Sequence, residues 1–190
     1  MNALALLKQD HNNVEELFRR FETARPDDAS ELGRVRDLVV EHLSKHATVE
    51  EQLFYPAIRA RLGKDQDFDV LEALEEHHVM KLTLSELEKV ASTNDRFRAK
   101  MTVLIESVRH HVEEEENDLF KQVRDTFTVE ELNELGERME EAKTAAPTRS
   151  HPFVPDVPPF NIIFGVPLAV IDRTLTAGRQ VVGRLVKDRS

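Results

Sequence analysis

The stretch His46-Ala47-Thr48-Val49-Glu50-Glu51-Gln52-Leu53-Phe54-Tyr55 returns 65 positions later as His111-Val112-Glu113-Glu114-Glu115-Glu116-Asn117-Asp118-Leu119-Phe120. Each copy reads His, three residues, Glu-Glu, two residues, a large apolar residue and an aromatic. A His and a Glu four apart lie on one face of a helix, so both can turn toward one ligand. The pair alone says little: 8 His and 23 Glu in 190 residues yield about one by chance. Four occur, at His11/Glu15, His46/Glu50, His110/Glu114 and His111/Glu115. The repeat says more. Upstream of each copy stands a lone His after an acid: Asp10-His11 with Val14 and Phe18, then Glu76-His77 with Met80 and Leu84, 66 apart. The chain is therefore two copies of one helix hairpin, a lone His on the first helix and His-x3-Glu on the second.

Periodicity extends this outward. Leu4, Leu7, His11, Val14, Phe18 and Phe21 form the stripe of a helix over 3–24, broken by Pro26. Val35, Leu38, His42, His46, Glu50, Leu53 and Ala57 form that of a second over 30–62, with a kink expected just before Pro56. Gly63-Lys64-Asp65 ends it. A third helix runs over 68–91 with Asp67 as N-cap, and a fourth over 96–126 after the turn Ser92–Asp95. Thr128 with Glu131 makes a capping box for a short fifth helix ending near Lys143. Short connections make neighbouring helices antiparallel, and four such helices close into an up-down bundle. The expected fold is all-α.

Composition agrees. Gly and Pro are few in the body, aromatics are 6%, and six of the eight prolines fall after Ala146. Residues 1–146 thus read as the bundle and 147–190 as an appendage. The appendage is an extended linker over 147–161 and an amphipathic helix over 167–187 carrying Leu168, Ile171, Leu175, Val182 and Leu185. It holds six basic and three acidic residues against 20 and 33 in the body. It is expected to dock on the acidic body, with a protein partner or an anionic membrane as the other candidates. The net charge of -10 argues against tracking nucleic acid. With no Cys, disulfides, thiolate-bound zinc, iron–sulfur clusters and thiol catalysis are excluded. The start lacks the basic region of a secretory signal, and the longest apolar run, Ile162–Ile171, is too short to span a bilayer. The expectation is a cytoplasmic protein.

Glu50 and Glu115 lie on core-facing stripes, where an ionised carboxylate without a partner is very costly. Two sets of two His and one carboxylate, facing each other across a pseudo-twofold axis, suit a pair of metal ions with positions left open. A buried polar network or a solvated groove is the competing reading. Nitrogen and oxygen ligands accept iron and manganese alike.

At Asp10-His11, His46–Pro56, Glu76-His77 and His111–Phe120 the sequence resembles the hemerythrin-like, or HHE cation-binding, domain family, over roughly residues 1–145. The resemblance implies a four-helix bundle holding two iron ions with an oxo or hydroxo bridge. It makes His11, His46, Glu50, His77, His111 and Glu115 the ligands. The oxygen-carrying hemerythrins have a second His four residues after the third-helix His and an Asp on the fourth helix. Here those places hold Lys81 and Glu115, which argues against simple reversible oxygen carriage. His42, one turn before His46, is either a further ligand or a neighbour of the ligands. His78 and His110 are off-axis, although a one-residue register shift would exchange them with His77 and His111. Glu51 and Glu116 are expected beside the ligands or in solvent. Tyr55 is similar in position to a tyrosine that approaches the metals in this family; an ideal helix turns it away from Glu50, and only the kink at Pro56 would correct that. A ferritin-like site needs Glu-x-x-His on two helices, and only Glu75/His78 fits. The functions implied are binding of, or reaction with, oxygen, peroxide or nitric oxide, in sensing, storage or detoxification. Catalase-like or peroxidase-like turnover belongs to the same resemblance, with no proton-transfer residue evident besides Tyr55. The alternative is a regulatory module whose tail responds to the state of the metal site.

Overall fold

A computed structural model of the chain describes residues 1–63 and 68–154. The Asp67 cap, the Lys64-Asp65 part of the stop signal, linker residues 155–161 and the tail helix over 167–187 lie outside the described residues. The rest is all-α, with no strand among the described residues. The helices are α1 (Ala3–Thr23), α2 (Ala29–Val49), α3 (Tyr55–Leu62), α4 (Phe68–Leu87), α5 (Phe97–Glu114), α6 (Phe120–Thr126) and α7 (Val129–Ala145). A π-turn, Glu50–Phe54, joins α2 to α3, and another, Glu115–Leu119, joins α5 to α6. The seven helices of the described residues thus make five rods.

Local signals set the ends. The Asn2 side chain accepts the Ala5 N–H at 2.8 Å, and Asp28 accepts that of Glu31 at 2.9 Å. The Thr128/Glu131 capping box is present in both directions. Gly63 closes α3 at φ +79°, a conformation that costs glycine no Cβ clash. α1 packs on α2 and α4 on α5, and α7 lies against α1 and α2. Gly136 of α7 is where the chain start crosses: a Cβ there would run into the backbone of Met1, Asn2 and Ala3.

The kink expected from Pro56 is corrected to a π-turn. Tyr55 N–H reaches back five residues to Glu50 C=O, one more than in an α-helix. Proline is not its cause alone, because Phe120 N–H likewise reaches Glu115 C=O although Lys121 holds the place of Pro56. The widened turn belongs to the repeat. It lets Glu50, Glu51, Phe54 and Tyr55 all be buried.

Two apolar clusters fill the bundle, one around Phe18, Phe21, Leu84 and Phe97 and the other around Leu7, Phe54, Phe120 and Met139. Between them lies a polar layer carrying the repeated His and Glu residues. Residues 147–154, expected as linker, lie against α4: Ser150 Oγ donates to Lys81 C=O at 2.6 Å, and Arg149 pairs with Glu88 at 3.3 Å.

Candidate metal centre

His11 from α1, His46 from α2, His77 from α4 and His111 from α5 all face the polar layer, joined by Glu50 and Glu115 from the two π-turns. All six are buried, at 7% exposure or less. Their ligand atoms form two sets, His11/His46/Glu50/Glu115 and Glu50/His77/His111, each within 4.8 Å, and Glu50 belongs to both. Glu50 Oε2 lies 3.1 Å from His46 Nε2 and 3.4 Å from His77 Nε2. His11 Nε2 is 3.3 Å from Glu115 Oε2. His77 Nε2 and His111 Nε2 are 3.2 Å apart.

The opposite ring nitrogens explain this arrangement. His11 Nδ1–H donates to Glu116 Oε1 at 2.8 Å, His77 Nδ1–H to Glu51 Oε1 at 3.2 Å, and His111 Nδ1–H to Glu76 Oε2 at 2.7 Å. His46 Nδ1 faces Asp10 Oδ2 at 3.7 Å, and Lys143 holds the other Asp10 oxygen. A carboxylate only accepts, so it fixes the proton on Nδ1 and leaves the Nε2 lone pair toward the interior. The pattern has twofold logic. The acid before each lone His (Asp10, Glu76) serves the His of its own hairpin's second helix. The acid after each motif Glu (Glu51, Glu116) serves the lone His of the other hairpin.

Tyr55 comes into the site. Five residues close the π-turn, so Tyr55 returns over Glu50, whereas an α-helix would place it about 140° round. Its ring centroid is 5.5 Å from His77, as that of its counterpart Phe120 is 6.1 Å from His11. Only Tyr55 has a hydroxyl, which donates to Glu115 Oε1 at 3.3 Å and breaks the symmetry. Lys81, where an oxygen carrier has His, is buried and binds Glu51 at 2.8 Å. Glu51, expected beside the ligands or in solvent, is thus held between His77 and Lys81. His78 and His110 point outward. His42 is not brought to the cluster: it is half-buried in a separate groove with Lys45, Glu140 and Lys143. The histidine partners Glu51 and Glu76 were not legible as such, because each bond is made between helices.

Electrostatics separate the groups. Burial pulls His46 down, and it pulls His77 well below the usual range with help from His111. Burial also pulls His11 down, but neighbouring Glu115 and Glu116 outweigh it and leave its pKa raised. Burial and the Glu115 charge push Glu50 well up. Burial would raise Glu115 too, yet His11 and the other imidazoles outweigh it and hold it low. Burial, with the nearby carboxylates, keeps the Tyr55 phenol protonated.

One groove of about 260 Å³ reaches His11, His46, His77 and His111 from between α1 and α5. Its walls are apolar at Val14, Phe18, Leu43, Met80 and Val108, and at its rim Arg109 clasps Glu15 at 2.9 Å and Glu22 at 2.8 Å.

The sequence profile of the hemerythrin HHE cation-binding domain matches residues 2–123. The chain belongs to the hemerythrin HHE cation-binding domain family. Among relatives of this HHE chain is an uncharacterized hemerythrin-like protein of Schizosaccharomyces pombe, 26% identical over 87% of this chain and 80% of its own. A Nostoc protein named DNA nickase is 26% identical over 76% of this chain, which spans only 40% of that protein. The crystal structure of an HHE cation-binding domain-containing protein from Mycobacterium kansasii superposes with TM-score 0.64 at 26% identity, covering 76% of this chain and 88% of that one.

Proposed function

We propose that this HHE domain holds two iron ions in the buried cluster and uses them to bind or react with oxygen, peroxide or nitric oxide. The observation that carries the reading is the set of atoms with nothing to bond. Both Glu50 oxygens, Glu115 Oε2 and His11 Nε2 are buried with no hydrogen-bond partner. The Nε2 atoms of His77 and His111 face each other while their Nδ1 protons are committed to carboxylates. Lone pairs so close repel unless cations lie among them, and buried unpaired acceptors cost about 1–3 kcal/mol each. The donor set fits: four imidazoles and two carboxylates suit two first-row cations of borderline hardness. His11, His46 and Glu115 would serve one ion and His77 with His111 the other, with Glu50 common to both.

Bound iron supplies one-electron redox chemistry and open coordination positions for a diatomic or peroxide. The protein does the rest. The four Nδ1–carboxylate contacts lock ring orientation and make each Nε2 a stronger donor. Tyr55 keeps its proton and offers it to Glu115 Oε1, which orients that carboxylate. The groove between α1 and α5, with apolar walls at Val14, Phe18, Leu43, Met80 and Val108, gives a small molecule a way to the four imidazoles. Lys81 ties down Glu51 where a seventh ligand would otherwise stand, which leaves the His77 side with fewer protein ligands.

The test is absorption of the iron-loaded protein on exposure to peroxide or oxygen. A charge-transfer band is expected in the parent and lost in both His46→Ala and Glu115→Ala. A band that persists in both refutes this cluster as the site.

A further inference from the structure

The six buried side chains are closed off from solvent, so a cation must reach them by some path. Among the described residues, two grooves touch the cluster, and they differ in how their charges are balanced. The α1/α5 groove has apolar walls, and three of the four carboxylates along it are paired with a cation: Glu15 with Arg109, Glu116 with Lys8 and Asp10 with Lys143. The other, of about 340 Å³, lies between α4 and the α5/α6 rod. Asp69, Glu72, Glu76, Glu114 and Asp118 line it, and no lysine or arginine does among the described residues. Its inner end reaches His111 and Glu115. Glu115 is 3% exposed and its Oε2 has no hydrogen-bond partner. The groove therefore ends on a buried carboxylate with one oxygen unpaired.

Its outer part contains a ligand set of its own. Glu76, His110 and Glu114 each offer one ligand atom within 4.8 Å of the others. His110 Nε2 is 3.3 Å from Glu114 Oε1, and the His110 side chain is 63% exposed. Glu76 joins outside to inside, because its Oε2 accepts the Nδ1–H of His111. An incoming cation meets the exposed set first, at residues one position removed from the buried ligands His77, His111 and Glu115.

We propose that the acidic groove between α4 and α5 is the loading path of the buried centre: Glu76, His110 and Glu114 capture a divalent cation and pass it inward to His111 and Glu115. The proposal rests on the buried cluster being the metal centre. A groove lined by one sign of charge between low-dielectric walls concentrates counter-ions and raises on-rates by about 10–10³.

The experiment follows cobalt(II) uptake by the metal-free full chain in stopped flow, at low and high ionic strength, reading both rate and final amplitude. The groove variant is Glu72→Gln/Glu114→Gln/Asp118→Asn, which touches none of the six buried side chains. A charge-matched variant on α7, Glu130→Gln/Glu134→Gln/Glu137→Gln, controls for net charge, and helical content by circular dichroism confirms folding of both. Uptake in the groove variant is expected to slow about tenfold or more, with unchanged amplitude and a weaker salt dependence. His110→Ala slows it with the same amplitude, and the α7 variant matches the parent. Parent-like rates in the groove variant overturn the path, as does equal slowing in the α7 variant. Absence of cobalt uptake by the parent overturns the metal centre itself, which amplitude reports separately from rate.

Discussion

Replacing Glu50 by Met is expected to stabilise the metal-free protein and destroy its response to metal. Glu50 is fully buried, and neither of its oxygens has a hydrogen-bond partner. Burial and Glu115 push its pKa well up, so without metal its charged form is costly there. Met has nearly the same volume and length, so little cavity or overpacking results. Removing a buried unsatisfied carboxyl recovers about 2 kcal/mol, within the usual 1–3 kcal/mol for such a group. For a body of this size that raises the midpoint of thermal unfolding by roughly 4–8 °C. Metal reverses the order. At a free concentration of 100 times Kd, the parent gains about 2.7 kcal/mol from each site and the variant, missing the shared ligand, gains little. Thermal melts followed by circular dichroism, with chelator and then with anaerobic ferrous iron, read both states. If Glu50→Met melts below the parent in chelator, Glu50 is a satisfied member of a structural network, and the reasoning that unpaired acceptors mark a metal centre fails.

Metal binding is expected to release protons, chiefly from Glu50, whose pKa burial and Glu115 raise. Affinity should then rise with pH above the ordinary carboxylate range, as Glu50 loses its proton, which calorimetry in buffers of different ionisation heat measures; pH-independent binding would contradict it. Glu76→Gln and Glu116→Gln, which remove the acceptors at His111 and His11 Nδ1, should weaken metal binding by about 10–100-fold each in equilibrium titrations. Tyr55→Phe should keep the metal stoichiometry, because Phe120 already fills the equivalent place, while denaturant unfolding shows a loss of about 1 kcal/mol for the hydroxyl. Gly136→Ala should cost about 1–3 kcal/mol in the same assay, because α7 can no longer approach the backbone at Met1–Ala3.

The repeat of His-x3-Glu-Glu and the lone His residues told which helix faces meet, and the buried positions of His11, His46, His77 and His111 follow that reading. Helical register was legible only in part: apolar spacing favours His77 over His78 and His111 over His110 but leaves a one-residue shift open, which the burial of His77 and His111 closes. The π-turns were not legible. Their signal is one extra residue per turn, and periodicity over ten residues cannot separate that from a proline kink. Tyr55 was legible only as a candidate that a kink at Pro56 would bring in, since its approach depends on the widened turn. The acids at Asp10 and Glu76 were visible as part of the motif. Their bonds to His46 and His111 cross between helices, which no spacing along one helix reveals. Lys81 was noticed as a departure from the oxygen carriers, but its bond to Glu51 needed the packing of α4 against the first π-turn.

The most direct test of the metal centre is anaerobic titration of the metal-free full chain with ferrous iron, with bound iron measured by elemental analysis after desalting. About two irons per chain are expected, falling below one in Glu50→Met. Retention of no iron by the parent would contradict a di-iron centre and leave the buried histidines and glutamates as a metal-free polar layer.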